Sequence, residues 1–242
     1  AAGYKIIVAA CGDGTLNEVV NGMMQAAAGP ADVTLAILPL GTANDLAYTL
    51  KLPTDITAAC QRIAAGNSRL IDVGCVNGRY FANNSAVGLE PVVTVTQHRM
   101  RWIKGSVRYI VAALKCILAA KPWQARLEWD AGVFEGPVVL VSVGNGPRTG
   151  GAFFITPKAQ VDDGQFDFVY GLGMSRLRLL WLLPQTFSGR HLGSRMVVHR
   201  RTTELAITIT PASPIQADGE VFETSATHIK YRILPGRLRV IV

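Results

Sequence analysis

The sequence predicts a mixed α/β chain, a doubly wound α/β unit followed by a larger antiparallel, β-rich half. Short apolar runs alternate with helical patterns through roughly the first seventy residues. After Ser68 the texture changes to short β-rich runs punctuated by Asn-Gly and Asp-Gly turns. The length, 242 residues with 49% apolar and only 17% charged, excludes wholesale disorder and supplies core for one large domain or two modest ones.

Tyr4–Ala10 is nearly all apolar and reads as a buried parallel strand. Thr15–Ala28 places Leu16, Val19, Val20, Met23, Met24 and Ala27 on one helical face, and Gly29-Pro30 stops it. Val33–Leu38 is a second buried strand, followed by a turn and a helix from about Ala43 to Leu50. Asp55 is the expected N-cap of another helix that ends near Gly66. Strand–helix–strand–helix order implies the doubly wound unit.

Downstream, Asn77-Gly78, Ala131-Gly132, Asp163-Gly164, Asp218-Gly219 and Pro235-Gly236 are hairpin signals. Two amphipathic helices interrupt the strands. In the first, Ile103, Val107, Ile110, Val111, Leu114, Ile117 and Leu118 share a face; the second runs from about Ser175 through Phe187.

Mean hydropathy is +0.26, high enough to raise the membrane question. The Leu179–Pro184 run is too short to span a bilayer, and Lys115 interrupts Ile110–Ala120, so no transmembrane helix is predicted. Cys11, Cys60, Cys75 and Cys116 lie far apart, with no C-x-x-C pair and no zinc spacing to a histidine. They fit a reducing cytoplasm as small hydrophobes.

The net charge of +7 is unevenly spread. Pro91–Leu127 holds no acid and seven bases: Arg99, Arg101, Lys104, Arg108, Lys115, Lys121 and Arg126. Phe168–Thr203 holds no acid and six: Arg176, Arg178, Arg190, Arg195, Arg200 and Arg201. Together they carry +13, leaving 7 − 13 = −6 for the rest. A face for an anionic partner, nucleic acid or a membrane surface, is one reading, and a solvated basic face is the other.

Cys11-Gly12-Asp13-Gly14-Thr15-Leu16-Asn17-Glu18 joins a strand to a helix. Glycines there let a backbone approach a ligand, and the helix start adds positive charge, so phosphate is a natural guest. Asp13 beside phosphate suggests a Mg²⁺–nucleotide; a tight turn capped by Asp13 or Thr15 is the alternative. Pro39-Leu40-Gly41-Thr42-Ala43-Asn44-Asp45-Leu46-Ala47 repeats the placement after the next strand. Two such turns at the carboxyl ends of successive strands face one crevice, which favours one shared ligand site.

Cys11–Glu18 resembles the G-G-D-G-T-x-N-E signature, and Pro39–Ala47 the P-x-G-T-x-N-D-x-A signature, of the diacylglycerol kinase catalytic-domain family. Within it the chain is similar to the bacterial YegS-like lipid kinases. The likeness continues through Asp72 in Leu70–Gly74, Asn83–Leu89, Asp162-Asp163-Gly164 and Asp218-Gly219-Glu220, so it covers essentially the whole chain. It implies a Rossmann-like nucleotide domain of the NAD-kinase/phosphofructokinase type over residues 1–73. A β-sandwich acceptor domain with inserted helices would follow over 74–226, with 227–242 packing back on the first. Two strand–helix units precede the first signature in the family, so the chain reads as truncated at its front, with an exposed sheet edge. Cys11 stands where the signature has glycine, and a step needing positive φ there is not served by cysteine.

The resemblance further implies an ATP- and Mg²⁺-dependent lipid kinase, cytoplasmic and peripheral at the inner face of the membrane. Gly12, Asp13, Gly14, Thr15 and Asn17 would hold the nucleotide phosphates, with Thr42 from the second loop and Asp13 near the Mg²⁺. Glu220 would be the general base that takes the lipid hydroxyl proton, with Asp72 assisting or orienting it. A separate structural Mg²⁺ would be bound by the Asp163 carboxylate and the backbone carbonyls of Gln160 and Gln165. The expected partners are a membrane lipid substrate and an anionic membrane surface, without nucleic acid; a homodimer is compatible. Alternatives are an NAD-kinase- or phosphofructokinase-like kinase of a soluble acceptor, or a catalytically silent lipid-binding protein.

Overall fold

The computed structural model describes residues 3–26, 33–100 and 106–242. The expected stop at Gly29-Pro30, and Arg101, Ile103 and Lys104 of the first basic stretch, lie outside them. The first unit forms in the expected order: β1 (Ile6–Cys11), α1 (Asp13–Gln25), β2 (Thr34–Pro39), α2 (Asp45–Thr49) and α3 (Ile56–Ala65). Asp55 caps α3, its Oδ1 accepting the Ala58 N–H at 2.8 Å, and Gly66 ends it with φ +71°.

β1 and β2 pair in parallel. β1 is not buried as expected, for Ile6, Ile7 and Val8 are 46%, 37% and 50% exposed. It is an edge strand, and one of its faces has no cover among the described residues.

The second half opens with β3 (Ser68–Val76), β4 (Arg79–Phe81) and β5 (Asn84–Gly88), then α4 (Leu89–Arg99) and α5 (Ser106–Ala119). The first expected amphipathic helix is thus preceded by a separate helix that apolar periodicity did not single out. β6 (Trp123–Trp129), β7 (Gly132–Gly144), β8 (Phe166–Leu172) and α6 (Arg176–Leu182) follow. Pro184 then turns the helical path into 3₁₀ segments, Leu183–Ser188 and Arg190–Gly193. β9 (Val197–Thr202), β10 (Glu204–Ala217) and β11 (Glu220–Ile241) complete the chain.

The sheet runs β1-β2-β11-β10-β5-β7-β8-β9, with β3 and β6 branching from β11 and β10. β11 is the strut. Its first half pairs antiparallel with β10, and its end lies parallel to β2 through Arg239↔Thr34 and Val240↔Leu35.

Of the hairpin signals, Asn77-Gly78, Ala131-Gly132 and Asp218-Gly219 turn hairpins. The other two do not. Pro235-Gly236 is a bulge inside β11, where the register with β3 shifts between Leu234 and Leu238, and Asp163-Gly164 lies in the loop before β8.

One core, between strands of the β-rich half, contains Phe81, Phe166, Leu127, Ile207 and Ile229, with Phe81 stacked on Phe166 at 5.6 Å. A second, with Leu16, Val20, Leu35, Ile71 and Val240, joins α1 to β2, β3 and the end of β11. A third holds α4, α5 and α6 against β7 through Val93, Ala113, Ile117, Val139 and Leu179. Ile207, 1% exposed on β10, sits between Leu127 of β6 and Ile229 of β11. Ile207→Ala is expected to cost about 2–5 kcal/mol of unfolding free energy, read from the urea midpoint at unchanged slope.

Candidate active site

α1 begins one residue after Gly12, and the Leu16 N–H donating to Gly12 O at 3.0 Å is its first helical bond. The amides of Asp13, Gly14 and Thr15 therefore have no partner within the helix and carry its positive end. The second loop lies directly against the first. A Cβ on Gly12 would come within 3.1 Å of the Gly41 Cα, and one on Gly41 within 2.5 Å of the Gly12 Cα. A side chain is excluded at Gly41 by the Gly12 backbone and would be tightly crowded at Gly12. Cys11 ends β1 in register with Pro39, so the position before Gly12 is ordinary strand and does not require glycine.

Asn44 staples the second loop. Its Oδ1 accepts the Gly41 N–H at 2.9 Å, its Nδ2 donates to Gly41 O at 2.9 Å, and it takes the left-handed φ of 50°. Asp13 locks the loops together, accepting the Asn44 N–H at 2.8 Å on Oδ2 and the Asp45 N–H at 2.7 Å on Oδ1. It thereby caps the next helix, α2, and it also lines the cleft, where the resemblance expects a carboxylate near the nucleotide's Mg²⁺.

Two other expectations do change. Asn17 is 1% exposed and faces away from the cleft, its Nδ2 donating to Tyr80 O at 3.0 Å and to Asp218 Oδ2 at 3.0 Å. It is an internal tie rather than a phosphate ligand. Thr15 is exposed on the first turn of α1 and is not among the residues lining the cleft. Gly14 and Thr42 do line it.

Glu220 follows the Asp218-Gly219 turn at the start of β11 and reaches the first loop from the other half of the chain. Its Oε1 lies 2.6 Å from where a Gly14 Cβ would sit. The turn is held by Asp218, whose carboxyl accepts the N–H groups of Ala82, Asn83 and Asn84, each at 2.9 Å. Enclosure raises the Asp218 pKa, and those bonds oppose the rise. Gly219 N–H donates to Gln216 Oε1 at 2.7 Å.

Asp72 is not brought to Glu220. It is 2% exposed on β3 and accepts the Gly164 N–H and the Gly236 N–H, each at 2.7 Å. The two turn signals that make no hairpin thus meet on one carboxylate. Asp72 clamps them and takes no place in the cleft. Asp163 is also engaged: Oδ1 accepts the Gln165 N–H at 3.1 Å, and Oδ2 pairs with the Arg201 guanidinium. With its charge balanced by arginine, the Gln160, Asp163 and Gln165 set does not fit a cation in this arrangement, and no role is assigned to one there.

The cleft between the halves has a cavity volume of about 300 Å³. Sequence reading missed three groups in or beside it. Asp45 is held by Arg148 Nε at 2.8 Å and the Gly151 N–H at 3.0 Å, and Arg148 lies 3.8 Å over the Tyr48 ring. Burial, and then repulsion from Asp13, raises Asp45 to about 6. Arg108 of α5 lines the cleft, its Nε buried without a hydrogen-bond partner among the described residues. Glu90 of α4 is 8% exposed, and burial raises it from 4.5 to about 7. Asn84 Nδ2 at 3.0 Å, Gln216 Nε2 at 3.1 Å and Thr149 Oγ1 at 3.4 Å all donate to its Oε1 and partly offset that rise. An acid in the first turn of α4, just before Pro91 and the apolar pair Val92-Val93, was the available signal.

A raised carboxyl pKa means the folded chain holds that proton more tightly than the unfolded one. Stability then falls as pH climbs from the ordinary glutamate value through about 7, by at most roughly 1.4 kcal/mol per pH unit. Asp45 adds a slope of the same sign at lower pH, so the difference from Glu90→Gln isolates Glu90. Urea unfolding across this range is expected to show the variant gaining on the wild type as pH rises. A constant difference would refute the buried proton.

Comparison with known proteins agrees with this geometry. Residues 1–76 match the diacylglycerol kinase catalytic domain, and residues 84–242 match the YegS C-terminal NAD kinase beta sandwich-like domain. A diacylglycerol kinase of Staphylococcus carnosus is 31% identical over 218 residues, 90% of this chain and 70% of that protein. A crystal structure of a putative diacylglycerol kinase from Bacillus anthracis is 26% identical with a TM-score of 0.76, covering 98% of this chain and 77% of that one. An NAD kinase from Archaeoglobus fulgidus, solved in complex with ATP, shares the fold at 11% identity and a TM-score of 0.53, covering 98% and 78%. Paired glycine loops, a glutamate reaching them from a β-rich half and these matches lead to one assignment: the chain belongs to the YegS-like diacylglycerol kinase family of lipid kinases.

Proposed function

We propose that the protein transfers the γ-phosphoryl group of ATP, entering as its magnesium complex, to the hydroxyl of a lipid alcohol, with Glu220 as general base. One observation carries this reading: the Glu220 carboxylate lies against Gly14, at the N-terminus of α1, although the two are 206 positions apart. The unpaired amides of that helix start and the Gly41–Thr42 loop offer N–H groups and positive potential to phosphate oxygens. Arg108 adds a cation from the opposite wall. Phosphoryl transfer needs in-line positioning and charge neutralisation more than covalent help, which such a cradle can supply. The acceptor hydroxyl is a weak nucleophile at neutral pH, and a carboxylate beside it accepts the proton as the new bond to phosphorus forms.

Glu220→Gln is expected to lower turnover of labelled ATP with lipid alcohols (diacylglycerol, phosphatidylglycerol, a sphingoid base) by about 10²–10⁴-fold with unchanged nucleotide affinity. Equal turnover by both proteins would remove Glu220 from the mechanism.

Access to the acceptor is proposed to occur at an anionic membrane surface. No described helix is long and apolar enough to cross a bilayer. α5 and α6 pack together and turn Leu118, Leu177 and Trp181 outward at 58%, 78% and 62% exposure. Lys115, Arg176 and Arg178 lie on the same two helices. Arg126 and Arg201 leave that set, the first pairing with Glu128 and Glu135, the second with Asp163. Apolar side chains flanked by bases suit insertion beneath acidic headgroups. Vesicle co-sedimentation is expected to rise with phosphatidylserine content and fall with salt, and Leu177→Ser with Trp181→Ser should weaken it. Binding indifferent to charge, salt and both substitutions would exclude this face.

A further inference from the structure

Glu220 is exposed and follows directly on a two-residue hairpin turn, Asp218-Gly219, which closes between Ala217 and Glu220. Both turn residues take positive φ, 47° and 85°. A carboxylate placed there goes where the turn goes, so the bonds that fix the turn also fix the proposed base. Asp218 is held through its carboxyl, as described above. Gly219 is held through its N–H, which donates to Gln216 Oε1 at 2.7 Å.

The other end of the Gln216 amide leads to Glu90. Gln216 Nε2 donates to Glu90 Oε1 at 3.1 Å, and Asn84 Nδ2 donates to the same oxygen at 3.0 Å. A primary amide has its acceptor at one corner and its donors at another. Turned end over end, Gln216 would set an NH2 group against the Gly219 N–H, donor against donor. An acceptor at position 90 therefore selects the one orientation that can receive that N–H. Asn84 extends the hold to the other turn residue: its carbonyl accepts the Asp218 N–H at 2.8 Å, and its own N–H donates to Asp218 Oδ1 at 2.9 Å. Gln216 and Asn84 are buried, at 1% and 3% exposure, so losing the Glu90 oxygen leaves both amides short of an acceptor. Glu90 itself stands in the first turn of α4, 126 positions from Gln216.

We propose that Glu90 is a positioning residue for the general base: its Oε1 orients the Gln216 amide, that amide holds the Gly219 N–H, and the held turn aims Glu220 at the loop of Gly14. This rests on the reading of Glu220 as base and adds to it the residue that sets its aim. Glu90 needs no contact with the reacting atoms in this role, and no proton passes through it.

Hydrogen exchange of the Gly219 amide in the whole chain, without substrate, reads this link directly. Glu90→Leu is expected to speed that exchange about tenfold relative to amides in the middle of β11. Glu90→Gln keeps an acceptor oxygen of the same reach and should restore the protection. With ATP and a lipid alcohol, Glu90→Leu is expected to lower kcat about ten- to hundredfold at unchanged KM for ATP, and Glu90→Gln to recover most of it. Gln216→Leu should lower kcat similarly, and combining it with Glu90→Leu should lower it no further, because both break one chain of contacts. Should Glu90→Leu fail to fold, Glu90→Met removes the same acceptor with an unbranched side chain and is expected to give the same pattern. Wild-type Gly219 exchange in the folded Glu90 variant, wild-type kcat in it, or losses that add in the double variant would each overturn the inference. Gly219 protection lost in Glu90→Leu while Glu220→Gln turns over like the wild type would instead overturn the base reading, and the exchange data would still show the link from Glu90 to the turn.

Discussion

A single carboxyl group sets the geometry on which the site depends. Asp218 gathers the backbone N–H groups of Ala82, Asn83 and Asn84 and the amide of Asn17. Those partners come from the turn between β4 and β5 and from α1, while Asp218 itself begins the turn that carries Glu220. Three regions distant in sequence are thus tied at one point, and the glutamate has a fixed origin from which to reach Gly14. Enclosing a carboxyl is unfavourable unless its oxygens are filled with donors, and here four N–H groups fill them. The result is a hydrogen-bonded junction between the α/β half and the β-rich half.

Asp13 and Asp72 follow the same logic. Each belongs to a signature segment where an acid invites a catalytic reading, and each binds backbone N–H groups at other turns. Asp13 joins the two glycine loops; Asp72 joins the loop before β8 to the bulge in β11. Carboxylates are well suited to this because one side chain can organise two turns whose amides would otherwise lack partners. Facing the cleft are Glu220, Gly14 at the start of α1, Arg108 and Asp13 itself.

Much of the architecture was legible in the sequence. The apolar runs at β1 and β2, the Asp55 cap, the Asn77-Gly78 turn and the glycine pairs each follow from local rules of backbone and burial. The failures have physical causes too. β1 has the composition of a buried strand, but burial depends on what covers it. Pro235-Gly236 and Asp163-Gly164 have hairpin chemistry, yet both turns serve Asp72, which no local pattern reveals. Glu90 was passed over because acidity in a short segment says nothing about whether water reaches it.

Sequence alone determined the element types, the two-part texture, the glycine loops and the acid that follows the last Asp-Gly turn, because these depend on neighbours along the chain. Tertiary structure decided which acids line the cleft, which bind backbone, and how the halves are tied. Those properties arise from contacts between residues as far apart as Gly14 and Glu220, or Asn17 and Asp218, and only the packed chain brings such residues together.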